Sequence, residues 1–129
     1  MSVKIVALYA ASNALFNIFL ASRVSSFRRS EKVSIGVGSS KPLEIAVRTH
    51  ANNAEFVPLA LVLILIAELM GGVAWGLHLA GGGLLLGRAL HAFGMPKRAP
   101  NFWRVGGTAL TWTVIGCTSL WLLLLHGVP

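Results

Sequence analysis

Four stretches of apolar residues, separated by polar segments, organise this chain. They cover residues 3–22, 54–70, 73–94 and 105–125, and three of them approach the roughly 20 residues that a helix needs to cross a hydrocarbon core about 30 Å thick. The second stretch is shorter, but its helix is predicted to begin near Leu43 and to extend beyond the bilayer. The pattern therefore predicts an all-α, integral-membrane four-helix bundle. Its helices are expected at about residues 3–22, 43–70, 73–95 and 105–125, in a single domain covering residues 1–129.

Composition supports a membrane protein. Of the 129 residues, 55% are hydrophobic and 12% are charged, which is about half the charged fraction of an average soluble domain. Nine of the eleven basic residues lie in or beside the first and third connections, whereas the second connection, residues 70–73, has none. This positive-inside pattern predicts that connections one and three face the cytoplasm and that both termini lie away from it. If the protein is bacterial, the inner membrane is the expected location.

The net charge of +7 raises the question of a polyanionic partner. Because the basic residues follow the alternation of a membrane topology, they are better explained by that topology and by contact with anionic lipid headgroups. We therefore expect membrane lipids, and not nucleic acid, as partners.

A polar stripe runs along the second predicted helix and enters the apolar segment from one side. At about 100° per residue, Glu44, Arg48, Asn52 and Glu55 fall within an arc of roughly 80°. Ionisable residues within a membrane usually face a bundle interior and have a partner there. The stripe is therefore either a binding site or a device that holds the bundle together, through Glu55–Arg88 or Glu55–Arg48 pairing.

The third predicted helix is rich in glycine and becomes polar toward its end. Gly72/Gly76 and Gly83/Gly87 have the small-xxx-small spacing that lets helix backbones approach closely. Tight packing, within a subunit or between subunits, is the prediction for these four positions.

One cation lies deep in this helix. Arg88 is followed on the same face by His91 and Met95. A buried guanidinium requires an anionic partner, and Glu55 and Glu68 are the acids available in the membrane segments.

The first predicted helix carries a line of polar residues, Tyr9, Asn13 and Asn17, at four-residue spacing. Hydrogen bonding between helices is one explanation, and the lining of a site is the other.

Neither a protein nucleophile nor a metal centre is expected. Cys117 is the only cysteine and lies in apolar company in mid-helix, where a thiol is usually unreactive. The chain has no aspartate, and its histidines lack the spacing of metal ligands. They are His50, His78, His91 and His126.

Two motifs resemble those of a known family. The second helix reads Arg48-x-His50-x-Asn52-x-x-Glu55-x-x-Pro58, and the third reads Arg88-x-x-His91, followed by Arg98-Ala99-Pro100 and Arg104. The first motif resembles the helix-two signature of the membrane-associated proteins in eicosanoid and glutathione metabolism, the MAPEG family. The second is similar to that family's third helix and the turn after it. The resemblance covers nearly the whole chain.

The resemblance implies a homotrimer in which glutathione, as cosubstrate, binds between neighbouring subunits toward the cytoplasmic face. It implies glutathione contacts from Arg48, Asn52, Glu55, Arg88 and His91. It also implies that Arg104 holds the glutathione thiol as a thiolate, with Arg98 as the reserve candidate. The implied activity is transfer of glutathione to a lipophilic small-molecule substrate, with reduction of lipid peroxides as a further activity.

Phe56 stands where several eukaryotic members of that family have a tyrosine. The resemblance therefore favours glutathione binding over any particular eicosanoid reaction. Two other classes of protein remain open from the residues alone. One is a non-catalytic membrane scaffold or lipid-binding protein of the same fold. The other is a small transporter, for which the sequence shows neither internal repeats nor a substrate pathway.

Overall fold

The structure is a computed structural model, which describes residues 3–127 of the chain. Within that range the chain forms four α-helices and no strand: α1 (Lys4–Glu31), α2 (Lys41–Leu69), α3 (Ala74–Gly94) and α4 (Phe102–His126). The all-α, four-helix class predicted from the sequence is confirmed. Three of the helices, α1, α2 and α4, are long and apolar enough to cross a membrane by length and composition.

The bounds of α1 differ from the prediction. Apolar patterning places its end near residue 22, but the helix continues to Glu31. Lys32 then adopts the left-handed conformation that ends many helices. The Arg28 guanidinium donates to the backbone carbonyls of Ser34 (3.3 Å) and Gly36 (2.8 Å). The first connection is therefore tied to a helical extension made of polar residues, which hydropathy alone does not reveal.

The starts of α2 and α4 follow local capping chemistry. Ser40 caps α2, its hydroxyl accepting from the backbone N–H of Leu43 at 3.3 Å, and Pro42 occupies the first turn, where its missing N–H costs nothing. Asn101 caps α4 in the same way through the N–H of Arg104 at 3.0 Å.

The four helices run alternately up and down. Side-chain contacts join the start of α1 to the end of α2, and the start of α3 to the end of α4. Both α1 and α4 pack against α2 and α3, and among the described residues they do not pack against each other. The first and third connections therefore lie at one end of the bundle, and the second connection lies at the other.

Glycine brings α3 and α4 into backbone contact. A side chain at Gly107 would collide with the backbone N of His91 and would lie 2.6 Å from the carbonyl oxygen of Gly87. At the other end of these two helices, Gly72 and Gly76 both lie against the ring of Trp121. A Cβ added at either glycine would be 2.9 Å from the nearest atom of that ring. The predicted tight packing of the glycine pairs is confirmed, and its partner is α4.

Apolar side chains fill the interior and also cover the outside. Leu43, Ile64, Leu77 and Leu84 are completely or almost completely buried. Large apolar side chains lie exposed along the outer faces of the helices, among them Leu15, Ile18, Phe19, Leu123 and Leu124. Such a surface is unsuited to water and is typical of lipid contact.

Glu68 has a structural role. Its two carboxylate oxygens accept from the backbone N–H groups of Ile5 (3.0 Å) and Val6 (2.7 Å). These N–H groups belong to the first turn of α1 and have no partner within the helix, and the positive end of the helix dipole favours an anion there. The carboxylate is therefore used as a cap for α1, and it does not pair with Arg88.

Substitution of Gly107 by alanine tests the α3–α4 contact. The added methyl group has to push the two backbones apart, and overpacking of this kind costs about 1–3 kcal/mol. Gly116→Ala on the same helix is the matched control, because nothing lies within 4 Å of its Cβ position and alanine favours helix by up to about 1 kcal/mol. We expect thermal unfolding in detergent to show a lower midpoint for Gly107→Ala only. Equal midpoints for the two variants would contradict the contact.

Candidate functional site

A buried arginine lies at the centre of the bundle. The Arg88 side chain is 1% exposed. Its Nε donates to Asn53 Oδ1 at 3.2 Å, and its Nη1 donates to Thr111 Oγ1 at 3.5 Å. Its Nη2 donates to Asn52 Oδ1 at 2.7 Å and lies 3.4 Å from His91 Nδ1. Neutral side chains from α2, α3 and α4 therefore surround the guanidinium.

The network continues into the first helix. The Nδ2 of Asn53 donates to Asn17 Oδ1 at 3.1 Å, so polar groups from all four helices are joined. The prediction of interhelical hydrogen bonding by the polar line of α1 is therefore confirmed for Asn17, and also for Tyr9, whose hydroxyl lies 3.1 Å from His78 Nδ1. Asn13 instead donates to the carbonyl of Tyr9 in its own helix, and its Oδ1 has no hydrogen-bond partner among the described residues.

The predicted ion pairs are not formed among the described residues: Arg88 pairs with neither Glu55 nor Glu68, and Glu55 does not pair with Arg48. Within residues 3–127, the ion pair of the structure is the exposed one between Lys41 and Glu44, at 3.0 Å. The sequence-based expectation that Arg88 needs a carboxylate was wrong because amide and hydroxyl oxygens, together with an imidazole nitrogen, satisfy its donors instead. Glu55 is exposed on the surface of the single chain.

Next to this network is an open cleft of about 650 Å³, at the end of the bundle that carries the first and third connections. It lies between the first three turns of α2, the last turn of α3, the third connection and the start of α4. Five of its side chains are cations and one is an acid. The lining residues are Lys41, Glu44, Ile45, Arg48, Asn52, His91, Met95, Pro96, Lys97, Arg98, Ala99 and Arg104.

Five of the seven residues predicted for the site line this cleft: Arg48, Asn52, His91, Arg98 and Arg104. Arg88 lies behind the wall, in contact with Asn52 and His91. Glu55 follows Asn52 by one turn on the same face of α2, and it does not line the cleft. The cleft of one chain therefore brings most of the predicted residues together, but not Glu55.

The backbone of Arg104 is fixed by two features that sequence reasoning missed. Asn101 accepts from the Arg104 N–H, and its Nδ2 donates to the carbonyl of Gly94 at 3.0 Å. Gly94 itself touches the backbone of Arg104, since a Cβ at this position would collide with it. An asparagine directly before an apolar stretch is a recognisable cap signal, so Asn101 could have been identified. Asn53, which lies next to a residue of the predicted stripe, gives no such signal.

A second groove, of about 560 Å³, meets the cleft at Arg104. It runs along the outer side of α4 and is mainly apolar. Its lining residues are Ala99, Pro100, Arg104, Val105, Thr108, Ala109 and Trp112. Arg104 and Ala99 line both cavities. One guanidinium is thus shared between a cationic cleft and an apolar groove.

The cleft suits an anionic ligand of small-molecule size. Its volume lies within the range of about 300–1,000 Å³ that is typical of such sites. Arginine guanidinium groups match carboxylates with two parallel hydrogen bonds. Asn52 and His91, two neutral side chains that hydrogen-bond, line the same cleft as these cations.

Comparison with known proteins identifies the chain. Residues 6–125 match the MAPEG family along their whole length. The chain belongs to the MAPEG family. It is 36% identical over 109 residues to the inner membrane protein YecN of Escherichia coli strain K12, which covers 84% of this chain and 82% of that relative. The same figures hold for YecN of Escherichia coli O6:H1. No solved structure matches the chain significantly.

Membership of the MAPEG family confirms the resemblance seen in the sequence, and it makes this chain a membrane protein of the glutathione transferase and eicosanoid family. Members of this family use glutathione. The name of the YecN relatives, inner membrane protein, places them in the inner membrane and specifies no reaction. Together with three apolar spans, the relatives support a multi-pass membrane protein.

The contribution of Arg88 to the stability of the fold can be measured by replacing it with methionine. The change leaves the Asn52 and Asn53 oxygens without their donor, and each buried group that loses its partner costs about 1–3 kcal/mol. Arg48→Met is the matched control, because Arg48 is exposed and makes no hydrogen bond or ion pair among the described residues. We expect Arg88→Met to unfold at clearly lower temperature or denaturant concentration in detergent, and Arg48→Met to unfold like the wild type. Unchanged stability of Arg88→Met would show that the network is dispensable.

Proposed function

We propose that this protein is a homotrimeric membrane glutathione transferase. It binds glutathione, stabilises its thiolate and conjugates it to lipophilic electrophiles. The observation that carries the proposal is the position of Arg104, which lines both the cationic cleft and the apolar groove beside it. A charged tripeptide and an apolar substrate meet at this guanidinium.

The cleft has the groups that glutathione requires. The tripeptide carries two carboxylates, one ammonium group and a thiol. Arg48, Arg98 and Lys41 provide cations for the carboxylates, and Glu44 is the acid in the same cleft for the ammonium group. Asn52 and His91 provide further hydrogen bonds to the tripeptide. In this proposal Arg88 supports the site from behind.

Arg104 supplies the activation of the thiol. A thiol of the cysteine type has a pKa of about 8.5, so a large thiolate population at neutral pH requires a shift of about 2 units, or roughly 2.7 kcal/mol. A guanidinium within about 4–6 Å of the sulfur, beside an apolar wall that limits water, provides a shift of this size. Arg98, on the other side of Ala99, is the reserve candidate.

The chemistry needs no nucleophile from the protein. The sulfur lone pair forms a bond to an electrophilic carbon of the lipophilic substrate, and a leaving group departs with its bonding electrons, or a proton adds to the neighbouring carbon. With a lipid peroxide, the thiolate attacks the terminal oxygen, the oxygen–oxygen bond breaks, and the departing alkoxide takes a proton from water to become an alcohol. A second glutathione then converts the sulfenic acid product to a disulfide with loss of water.

The exposed carboxylate of Glu55 supports assembly as a trimer. An ionised side chain in the membrane interior is costly, about 2.5–3.5 kcal/mol at the bilayer centre, and such residues almost always face protein or a water-filled cavity. On one chain Glu55 faces outward, one turn beyond Asn52. In the proposed trimer, this face of α2 meets a neighbouring subunit, and Glu55 completes a glutathione site shared between the two.

The proposed orientation follows from the positive-inside pattern. The end of the bundle that carries the cleft and the basic connections faces the cytoplasm, where glutathione is available, and both termini lie on the opposite side.

Calorimetric titration of glutathione into the detergent-purified protein tests the proposal directly. The expected result is saturable binding, together with ultraviolet absorbance from the thiolate and conjugation of a hydrophobic electrophile. A well-folded protein that shows neither binding nor thiolate would favour the alternative, a non-catalytic scaffold or lipid-binding protein of the same fold.

Arginine variants separate activation of the thiol from binding. Arg104→Ala removes the cation shared by the two cavities, so we expect the apparent pKa of bound glutathione, read from thiolate absorbance against pH, to rise by about 2 units toward the free value. Glutathione affinity should fall much less. Arg98→Ala is the matched control, with affinity reduced and the thiolate retained. An unshifted titration in Arg104→Ala, with the shift found in Arg98→Ala, would transfer the role to Arg98.

Acid variants on α2 test the trimer. Glu55→Ala is expected to weaken both assembly and glutathione binding, because its side chain faces the neighbouring subunit in the proposal. Glu44→Ala, which removes an exposed acid from the same helix, should leave assembly intact. Sedimentation in detergent gives the oligomeric mass, and calorimetry gives the affinity. A stable Glu55→Ala trimer with normal binding would show that Glu55 is incidental.

A further inference from the structure

We infer that Arg88 is a positioning residue that fixes which hydrogen-bonding groups Asn52 and His91 present to the cleft, so that both present donors. The inference deepens the proposed function and takes its ligand, glutathione, from it. It follows from one chemical asymmetry. A guanidinium has five N–H donors and no acceptor. Any side chain that hydrogen-bonds to it must use a lone pair, and it keeps its N–H groups for other partners.

The effect on Asn52 is to set the orientation of its amide. Its Oδ1 accepts from Arg88 Nη2 at 2.7 Å, the shortest hydrogen bond of the guanidinium. The reversed amide would place an NH2 group against a cation that has only donors. Asn52 lines the cleft, and its Nδ2 has no acceptor among the described residues. The NH2 group is thus the end of the amide that a ligand meets.

The effect on His91 is to set its tautomer. The Nδ1 atom lies 3.4 Å from Arg88 Nη2, and His91 as a whole is 4% exposed. Because Arg88 can only donate, Nδ1 must be the unprotonated nitrogen. The neutral ring then carries its proton on Nε2. His91 also lines the cleft, where this N–H is available to a ligand.

The consequence is selectivity for acceptors. Two neutral side chains, each of which is able to accept in another setting, become donors that reinforce the surrounding cations. A carboxylate gains from every such group, whereas a neutral ester loses the charge-assisted part of each hydrogen bond. Arg88 therefore acts on the ligand without touching it, through Asn52 and His91.

Nitrogen NMR of the ligand-free protein tests the tautomer. The protein is labelled with ¹⁵N-histidine and measured in detergent above pH 8, and His91→Gln assigns the signal. The expected spectrum shows a neutral ring protonated at Nε2. A ring protonated at Nδ1, or at both nitrogens, would overturn the inference. This measurement needs no glutathione, so it remains decisive even where the proposed function fails because the wild type does not bind the tripeptide.

Asn52→Asp tests the amide. The variant is isosteric and keeps the oxygen that accepts from Arg88, but it replaces the NH2 group in the cleft by a second acceptor. We expect a thermal midpoint no lower than that of the wild type, and glutathione affinity lower by about 10- to 100-fold, the range of one hydrogen bond to a charged group. Affinity for glutathione diethyl ester should fall less, so the ratio of the two affinities changes. A general structural defect would lower both equally.

Thr111→Val is the matched control. It removes another acceptor of Arg88, on the α4 side of the network away from the cleft. The His91 tautomer and the ratio of affinities should remain within about twofold of the wild type. Asn52→Asp with wild-type affinity and ratio would overturn the role of the amide.

Discussion

The structure depends on the solvation of one buried cation by neutral groups. Arg88 has no carboxylate within ion-pairing distance among residues 3–127, and it is held by Asn52, Asn53, His91 and Thr111. A bare charge in this setting would be costly, so the packing of α2 and α4 on α3 must keep these partners in place. The requirement makes the four-helix arrangement specific, because apolar side chains alone would permit many rotations of each helix in lipid.

The same requirement determines the position of the candidate site. Asn52 and His91 serve both the buried cation and the wall of the cleft, so the ligand-facing surface is attached to the most constrained part of the bundle. On the other side of the cleft, Arg104 is positioned by backbone contact with Gly94 and by the Asn101 cap. Helices therefore position Asn52, His91 and Arg104, and helices hold a site more precisely than mobile loops do, whereas Lys97 and Arg98 come from the third connection.

Much of this architecture was predictable from sequence, because hydropathy, capping residues and glycine spacing are local signals. The helices, the close approach at Gly83 and Gly87, and the family signature on α2 belong to this class. The partners of Arg88 were not predictable in the same way. Electrostatic reasoning favours a carboxylate, but the choice between Glu55, Glu68 and a set of amides depends on how the helices are rotated, which no local pattern encodes. A site residue such as Glu55, whose role depends on a neighbouring subunit, is harder still to predict, because the structure of one chain shows only the surface of that chain.

Glu68 illustrates how a distant residue completes a local structure. Its carboxylate satisfies the N–H groups at the start of α1, more than 60 positions earlier in the chain. Because a polypeptide is synthesised from its amino end, the first turn of α1 is made before this carboxylate exists. Its leading amide groups must remain in contact with water or lipid headgroups until α2 has been made and has folded back alongside. Maturation of the first span is thus coupled to translation of the second, and the two helices form a hairpin that is completed as one unit during biogenesis.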